Sequence, residues 1–159
     1  MKYVAWLMVV LLLCAFGGFG YLYMTANIVV ASIALSTQPA ADQQALFDDL
    51  KARLENGTAL GTVFQPAVSG GPEEYAFYTY TLHLKNQSFL QADMIEIQIV
   101  PMDGDVLQLR QTQAMAVGRR GEGDISGAIL TKAGNHAVRE IIITYYVWGI
   151  PFNIKTTYG

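Results

Sequence analysis

The sequence has little charge and almost no cysteine. Of its 159 residues, only 14% are Asp, Glu, Lys or Arg, against about 25% in an average globular protein. Ten basic and thirteen acidic side chains give a formal net charge of −3, so no basic field is available to hold nucleic-acid phosphates. The single cysteine, Cys14, excludes a disulfide framework and a cysteine-based zinc site. A disordered chain, a coiled coil and a nucleic-acid binder are therefore excluded.

Recognisable catalytic motifs are also missing. The sequence contains no G-x-S-x-G elbow, no P-loop and no G-x-G-x-x-G pattern. His83 and His136 are not in a metal-ligand spacing. The glycine-rich segment 118–123 lies between predicted strands with no helix behind it, which is typical of a hairpin turn. We therefore predict that the protein is not an enzyme, with no catalytic residue, no cofactor and no metal ligand.

Two weaker patterns remain. Four aspartates could supply hard oxygen ligands to a calcium ion: Asp103 and Asp105, together with Asp93 or Asp124. Because calcium takes about six to eight such ligands, a solvated turn at Asp103 and Asp105 is the favoured interpretation. Asn56 and Asn86 each begin an N-glycosylation acceptor pattern, which matters only in a eukaryotic secretory pathway.

A long uncharged segment at the N-terminus is the strongest signal in the chain. Lys2 is the only charged residue before Asp42. Val4–Met24 is apolar throughout, with aromatic residues near both ends, and about 20 such residues cross a hydrocarbon core of ~30 Å. A buried core helix would show a polar face, and this segment has none. We predict an apolar helix over residues 1–35 that acts as a transmembrane anchor.

The anchor is predicted to stay on the mature protein. A signal peptide has an apolar region of about 7–15 residues, whereas this one is longer, and the small-x-small pattern at Ala31–Ala34 lies far from the start. The positive charge of Lys2 places the N-terminus in the cytoplasm and the C-terminal domain outside it. A secreted protein with a cleaved signal peptide is an alternative.

Residues 36–72 are predicted to form an amphipathic helix and a linker. The helix covers Asp42–Glu55, ends at Asn56 and Gly57, and is followed by a glycine- and proline-rich loop. Its apolar stripe consists of Ala45, Leu46, Leu50 and Leu54, with Phe47 beside it. We expect this helix to cover an edge or face of the sheet that follows; a partner-binding helix is the alternative.

Residues 73–159 alternate between apolar and polar side chains in short segments separated by turns, which is typical of an antiparallel sandwich of about seven strands. The predicted strands are Glu74–Lys85, Met94–Val100, Val106–Gln111, Ala114–Val117, Ile125–Thr131, Val138–Trp148 and Phe152–Tyr158. Val138–Trp148 is apolar on both faces and is predicted to be the central strand. We expect residues 37–159 to fold alone as a soluble domain.

This strand pattern resembles the immunoglobulin-like and fibronectin-type-III-like sandwiches over roughly residues 73–159. The resemblance concerns architecture only, because the Cys…Trp…Cys pattern of true immunoglobulin domains is absent. It implies no functional residue. The domain is also rich in aromatic side chains that are expected mostly in the core, with a binding surface where two of them meet at a rim: Tyr75, Phe77, Tyr78, Tyr80, Tyr145, Tyr146 and Trp148.

Together these features predict a single-pass, non-catalytic envelope protein whose extracytoplasmic sandwich binds or scaffolds other proteins. The expected partners are the lipid bilayer and other envelope proteins or copies of the same chain. A second hypothesis is a pilin-like filament or assembly subunit, in which the long apolar helix continues into the amphipathic one and packs with its copies. The unusual length of the apolar run, which extends to Leu35, favours this second hypothesis. The absence of a pilin-type processing site with a charged leader, and of a glutamate near the start of the helix, counts against it and ranks it second.

Overall fold

The computed structural model describes residues 2–110, 115–135 and 137–159. This described part is mainly β, with two α-helices, nine strands and two short 3-10 turns. The helices are α1 (Lys2–Met24) and α2 (Gln44–Glu55). The strands are β1 (Ile28–Pro39), β2 (Gly61–Val63), β3 (Tyr75–Asn86), β4 (Ala92–Ile99), β5 (Asp105–Leu109), β6 (Met115–Val117), β7 (Glu122–Lys132), β8 (Arg139–Val147) and β9 (Ile150–Tyr158).

The apolar helix α1 is shorter than expected. It has 23 residues, and none of them is buried against the rest of the described chain. It runs unbroken through the glycine cluster at residues 17–20 and ends at Met24. The Thr25 backbone N–H and hydroxyl both donate to the Tyr21 carbonyl, each at 3.0 Å. The prediction of a helix up to residue 35 is therefore wrong beyond Met24.

The segment after α1 is a strand of the sandwich. β1 pairs with β3 from Ile28 opposite Asn86 to Pro39 opposite Ala76. Its β-branched residues favour extended backbone, and Ile33 turns inward while Ser32 turns outward. A register shift at Ala31 interrupts the alternation in the sequence. The sandwich therefore begins at residue 28, and the expected boundaries at 35/36 and 72/73 do not match its limits.

The strands form two antiparallel sheets. One has the order β1-β3-β7-β5-β2 and the other the order β6-β4-β8-β9. This confirms a mainly β, two-sheet fold with nine strands rather than about seven, because β1 and β2 lie outside the predicted strand region. β8 lies inside its sheet, between β4 and β9, as predicted for Val138–Trp148. It is covered fully on one face only, since Ile142 and Tyr146 are half-buried.

The main core lies between the sheets, and the predicted alternation is confirmed. Five side chains of β3 face inward, namely Ala76, Tyr78, Tyr80, Leu82 and Leu84. They pack against apolar side chains of β4 and β8, including Ile95, Ile97, Ile99, Ile141 and Ile143. Residues 37–159 alone would lack most of β1, whose Ile28 belongs to this core.

The helix α2 packs on the outer face of the five-stranded sheet. Phe47, Leu50 and Leu54 are buried there together with Tyr75, Phe77, Val106, Leu107 and Leu130. The helix ends at Asn56 and Gly57, as predicted, with Gly57 at φ +67°. The predicted stripe is wrong at Ala45 and Leu46, which are exposed, because the face that meets the sheet is centred on Phe47. The expectation that α2 covers the sheet is confirmed.

Candidate functional site

A buried ion pair closes the end of the sandwich that lies away from α1. Arg139 begins β8, Asp105 begins β5, and neither side chain is exposed. The two terminal nitrogens of the Arg139 guanidinium donate to the two carboxylate oxygens of Asp105 at 2.8 and 2.7 Å. The Met102 backbone N–H also donates to Asp105, at 2.6 Å. The two hydrogen bonds between Arg139 and Asp105 join one sheet to the other. The prediction of a solvated turn is therefore wrong for Asp105.

Two tyrosine hydroxyls complete this distal end. Tyr78 donates to the carbonyl of Asn135, and Tyr80 donates to the carbonyl of Ala137, each at 2.9 Å. Burial raises the pKa of the Tyr80 hydroxyl, and its hydrogen bond with Arg139 opposes that rise only in part. His136, which was considered with His83 as a possible metal ligand, lies outside the described residues. The distal end is a hydrogen-bonded closure of the core.

The four aspartates considered for calcium do not come together. Asp105 is paired with Arg139, Asp124 contacts a ring nitrogen of His83 at 2.6 Å, and Asp93 accepts a hydrogen bond from Gln91 at 2.6 Å. Asp103 takes part through its backbone carbonyl, which accepts from the Asn135 amide. Within residues 2–110, 115–135 and 137–159, no group of three or more His, Cys, Asp or Glu side chains is arranged to hold a metal ion.

A cluster of charged side chains occupies the outer face of the five-stranded sheet. His83 Nδ1 lies 2.6 Å from Asp124, and Lys85 Nζ lies 2.7 Å from Glu122. The hydrogen bond with Asp124 raises the pKa of His83, and the pairing with Lys85 lowers the pKa of Glu122. All four groups are at least one-third exposed, so water screens these interactions. The arrangement is that of cross-strand ion pairs on a solvated surface.

The remainder of this outer face carries small, uncharged side chains and lies next to a free strand edge. α2 covers the part around Tyr75 and Phe77, and Ser32, Ala34 and Ser36 of β1 are exposed beyond it. Among the described residues, β1 pairs with β3 alone, so its other edge carries unpaired backbone groups. β1 has twelve residues and no charged side chain. Such an edge is a template on which another strand can pair.

The opposite end of the sandwich is joined to α1. The Gln87 backbone N–H donates to the Asn27 carbonyl at 2.9 Å, which ties the β3–β4 loop to the short segment after the helix. The ring of Phe19 in α1 meets the ring of Trp148 in the β8–β9 turn, with centroids 5.6 Å apart. A second ring contact, at 5.0 Å, joins Tyr23 of α1 to Phe152 of β9. We call this the helix-proximal end, formed by residues 25–27, 87–91, 118–121 and 148–149.

Neutral hydrogen bonds organise the interior of the helix-proximal end. The buried Asn86 amide donates to the carbonyls of Leu90 at 2.7 Å and Gly118 at 3.0 Å. The Ser88 hydroxyl donates to the Asn86 side-chain oxygen at 2.8 Å. Asn86, which begins one of the two N-glycosylation patterns, is only 1% exposed. Its side chain is therefore a structural part of the folded interior. Asn56, the other predicted acceptor, is exposed.

Large apolar groups lie on the surface of the helix-proximal end. Phe89 and Trp148 are 56% and 55% exposed, and the guanidinium carbon of Arg120 lies 4.0 Å from the centre of the Phe89 ring. Arg119 and Arg120 are exposed, and neither forms an ion pair with any described residue. The aromatic residues predicted for the core are buried, except Tyr146, which is half-buried, and Trp148. Phe89, which carries much of this surface, was not among the residues that the sequence singled out.

No model of a known protein family matches this chain. A search of curated protein sequences also finds no match. Its function is therefore inferred from its own sequence and geometry.

Proposed function

We propose that the protein is a single-pass membrane protein whose sandwich lies outside the cytoplasm and binds other proteins without catalysing a reaction. The observation that carries the proposal is α1, which has 23 residues, one charge at its first position and no buried face. At 1.5 Å per residue it is about 35 Å long, enough to cross a hydrocarbon core of ~30 Å.

The junction between α1 and the sandwich favours a retained anchor over a cleaved signal peptide. Cleavage at the small residues Ala31–Ala34 would cut β1 in the middle of its pairing with β3. Ala26 is buried, and its carbonyl accepts a hydrogen bond from the Tyr145 hydroxyl at 3.4 Å. Ile28 is buried in the core between the sheets. The polypeptide that follows α1 is thus part of the fold.

The orientation in this proposal follows from Lys2. It is the only basic residue before α2, and basic residues beside a span favour the cytoplasmic side. No basic residue follows the span until Lys51. The distribution of basic residues therefore favours a cytoplasmic N-terminus and an extracytoplasmic sandwich.

We also infer an immunoglobulin-like topology. Taken in chain order as strands A to G, β1, β3, β4, β5, β7, β8 and β9 give the sheet orders A-B-E-D and C-F-G, which are those of immunoglobulin domains. β2 and β6 are then additions at the edges. The inference places strand A at residue 28 instead of within residues 73–159.

The free edge of β1 is the surface that we assign to protein binding. Natural proteins protect such edges with charges, proline or bulges; β1 has only the irregularity at Ala31 and the terminal Pro39. An extended segment of a partner could add to this edge through backbone hydrogen bonds. Ser32, Ala34 and Ser36 beside it are small and would not obstruct the added strand.

The long apolar run no longer favours the filament alternative, because its second part belongs to the strand β1 and not to a continuous helix. A pilin-like subunit would need α1 to continue into the amphipathic helix, but twelve residues of β1 separate α1 from α2. α2 is also packed on the sheet through Phe47, Leu50 and Leu54, which would otherwise face neighbouring copies.

Labelling of intact cells tests the topology. In a Cys14→Ser background, Ala133→Cys places a thiol on an exposed turn at the distal end. We expect a membrane-impermeant maleimide to label this cysteine before the cells are lysed. Labelling that appears only after lysis would reverse the orientation, and recovery of the protein as a soluble, secreted species would contradict the anchor.

Site-specific crosslinking tests the assigned edge. A photoreactive residue at position 34 of β1 should give protein adducts in cells, and the same residue at position 157 of β9 serves as the matched control. Ser36→Lys should reduce the adducts from position 34, because a lysine on an edge opposes strand pairing. An adduct of twice the chain mass would identify a second copy as the partner. Equal adducts from positions 34 and 157 would contradict the assignment.

A further inference from the structure

The length of α1 leaves no spacer between the sandwich and a bilayer. The helix is about 35 Å long, the hydrocarbon core is ~30 Å thick, and the headgroup regions bring the total to about 40–45 Å. Only Thr25, Ala26 and Asn27 separate α1 from β1. If α1 crosses the membrane, as proposed above, the helix-proximal end must lie at the depth of the lipid headgroups.

The β8–β9 turn reaches back along the helix. Trp148 contacts Phe19, which precedes the end of α1 by five residues, or about 7.5 Å along the helix axis. Both central residues of this two-residue turn have positive φ, +53° at Trp148 and +77° at Gly149, as in a type I′ hairpin. The turn therefore holds an exposed tryptophan beside the last turns of the span. Tryptophan is enriched at this depth because its ring is apolar and its N–H is polar.

A second group of side chains lies at the same end. The Arg120 guanidinium stacks over Phe89 at 4.0 Å, and the Arg120 backbone N–H donates to the Ser88 carbonyl at 3.0 Å. Because Ser88 is itself bonded to the buried Asn86, the Phe89 loop and the arginine turn are held together. The structure thus presents an aromatic ring and a guanidinium as one unit.

The charges around this unit leave its arginines available. Glu122, the nearest acidic residue in sequence, is paired with Lys85, and Asp93 accepts from the Gln91 amide. Arg119 and Arg120 have no carboxylate partner in the described part of the chain. A guanidinium binds a phosphate through two parallel hydrogen bonds, and the headgroup region of a bilayer is rich in phosphate.

We propose that the helix-proximal end of the sandwich is a lipid-binding surface. Phe89 and Trp148 lie at the boundary between headgroups and acyl chains, while Arg119 and Arg120 bind lipid phosphates. The sandwich then stands end-on on the bilayer instead of moving freely above it. This inference rests on the proposed span of α1 and adds a second contact with the membrane.

Fluorescence quenching in reconstituted vesicles tests the inference on the full chain. Trp6 and Trp148 are the two tryptophans, so Trp6→Phe leaves Trp148 as the only one. We expect phosphatidylcholine brominated near the headgroup to reduce Trp148 emission strongly. Phosphatidylcholine brominated near the chain ends should quench it less. Emission that is insensitive to both lipids would overturn the inference.

The complementary variant separates this failure from a failure of the proposed anchor. Trp148→Phe leaves Trp6, which lies within α1, so brominated lipid must quench it if the helix is inserted. Quenching of Trp6 without quenching of Trp148 would preserve the anchor and overturn the lipid-binding surface. An absence of quenching at both positions would overturn the anchor and, with it, this inference.

The arginines are tested by the lipid charge. In the Trp6→Phe chain, adding phosphatidylglycerol to the vesicles should increase the quenching of Trp148, because anionic lipid attracts basic side chains near the surface. Arg119→Gln with Arg120→Gln should abolish that increase, whereas Arg53→Gln on α2 should retain it. Circular dichroism confirms that each variant is folded. An increase that survives the double substitution would contradict the role assigned to the two arginines.

Discussion

The two ends of the sandwich use polar groups in opposite ways. At the distal end, the charges of Arg139 and Asp105 are turned inward and are completely covered. At the helix-proximal end, the interior is organised by the neutral side chains of Asn86 and Ser88, and the charged groups face outward. The distal end therefore pairs its charges within the protein, whereas the helix-proximal end leaves the charges of Arg119 and Arg120 on the surface, as the proposed lipid contact requires.

The distal pair differs from an ordinary surface ion pair in what its loss would expose. Within the described chain, Arg139 Nε finds no hydrogen-bond acceptor, so the pair already has one unsatisfied donor. A buried charge without its counter-charge is far more costly than an exposed one, because the interior does not solvate it. Substitutions at the distal end should therefore lower the free energy of unfolding more than substitutions elsewhere in the molecule.

The loss of this pair should destabilise the protein more than any other substitution considered below. Arg139→Ala should lower the free energy of unfolding by about 3–5 kcal/mol, because Asp105 remains buried and unpaired. Lys155→Ala, which breaks the exposed contact with Glu140 at 3.2 Å, should cost at most about 1 kcal/mol. Denaturant titrations of the detergent-solubilised protein would measure both. Combining Arg139→Met with Asp105→Leu should recover most of the loss, and similar midpoints for the two alanine variants would contradict a special role for the pair.

The middle of the sandwich provides a reference for both ends. Ile143→Ala on β8 removes a fully buried side chain and should cost about 2–5 kcal/mol, the range for large-to-small core substitutions. Thr157→Ala on the exposed side of β9 should change the stability by less than about 0.5 kcal/mol. Equal unfolding midpoints would show that β8 does not contribute to the core as its position indicates.

The interior of the helix-proximal end should show a smaller loss. Asn86→Ala removes the donor to the carbonyls of Leu90 and Gly118, and leaving buried polar groups unpaired costs about 1–3 kcal/mol. Asn56→Ala is the matched control, because that residue has the same acceptor pattern but is exposed. The control should stay within about 0.5 kcal/mol of the original protein. A neutral Asn86→Ala variant would mean that this end does not depend on the amide.

The smallest expected effect is a dependence on pH at His83. Asp124 raises the pKa of His83 above its ordinary value of 6.5. The contribution to stability is therefore fully present below pH 6.5 and is lost as the pH rises through the higher folded-state pKa. The difference in unfolding free energy between the original protein and His83→Asn should shrink over that interval, and any contribution of His136 cancels in it. A difference that grows with pH would contradict the sign.

Much of the fold could be predicted because the alternation of apolar and polar side chains along the chain indicates the strands. The alternation in β3 places Tyr78, Tyr80 and Leu82 on one face in the sequence, and the structure buries all three there. The limits of β1 were missed because its outward residues Ser32 and Ala34 are small and uncharged. Following a transmembrane-like segment, such a strand resembles a continuation of the apolar helix. The signals that distinguish it are the β-branched Val29, Val30 and Ile33.

The surfaces of interest depend on contacts between distant residues, which local patterns cannot reveal. Asp105 and Arg139 are 34 positions apart, and a turn-forming Asp-Gly-Asp sequence gives no indication that one carboxylate is buried. Phe89 and Arg120 come from different loops, which are joined by the Asn86 amide and by the backbone hydrogen bond from Arg120 to Ser88. Trp148 was predicted as part of an aromatic core, but the hairpin turn places it outside the core, beside Phe19.

Energy transfer from each end of the sandwich to the membrane would measure which end lies close to the bilayer. β3 spans twelve residues, or about 40 Å at ~3.3 Å per residue, so the two ends should lie at very different heights above the bilayer. A donor dye on Gln87→Cys or on Ala133→Cys, each in the Cys14→Ser chain, is paired with acceptor dyes on lipid headgroups. We predict efficient transfer from position 87 and weak transfer from position 133. Equal transfer from both positions, or stronger transfer from position 133, would contradict an end-on sandwich that rests on its helix-proximal end.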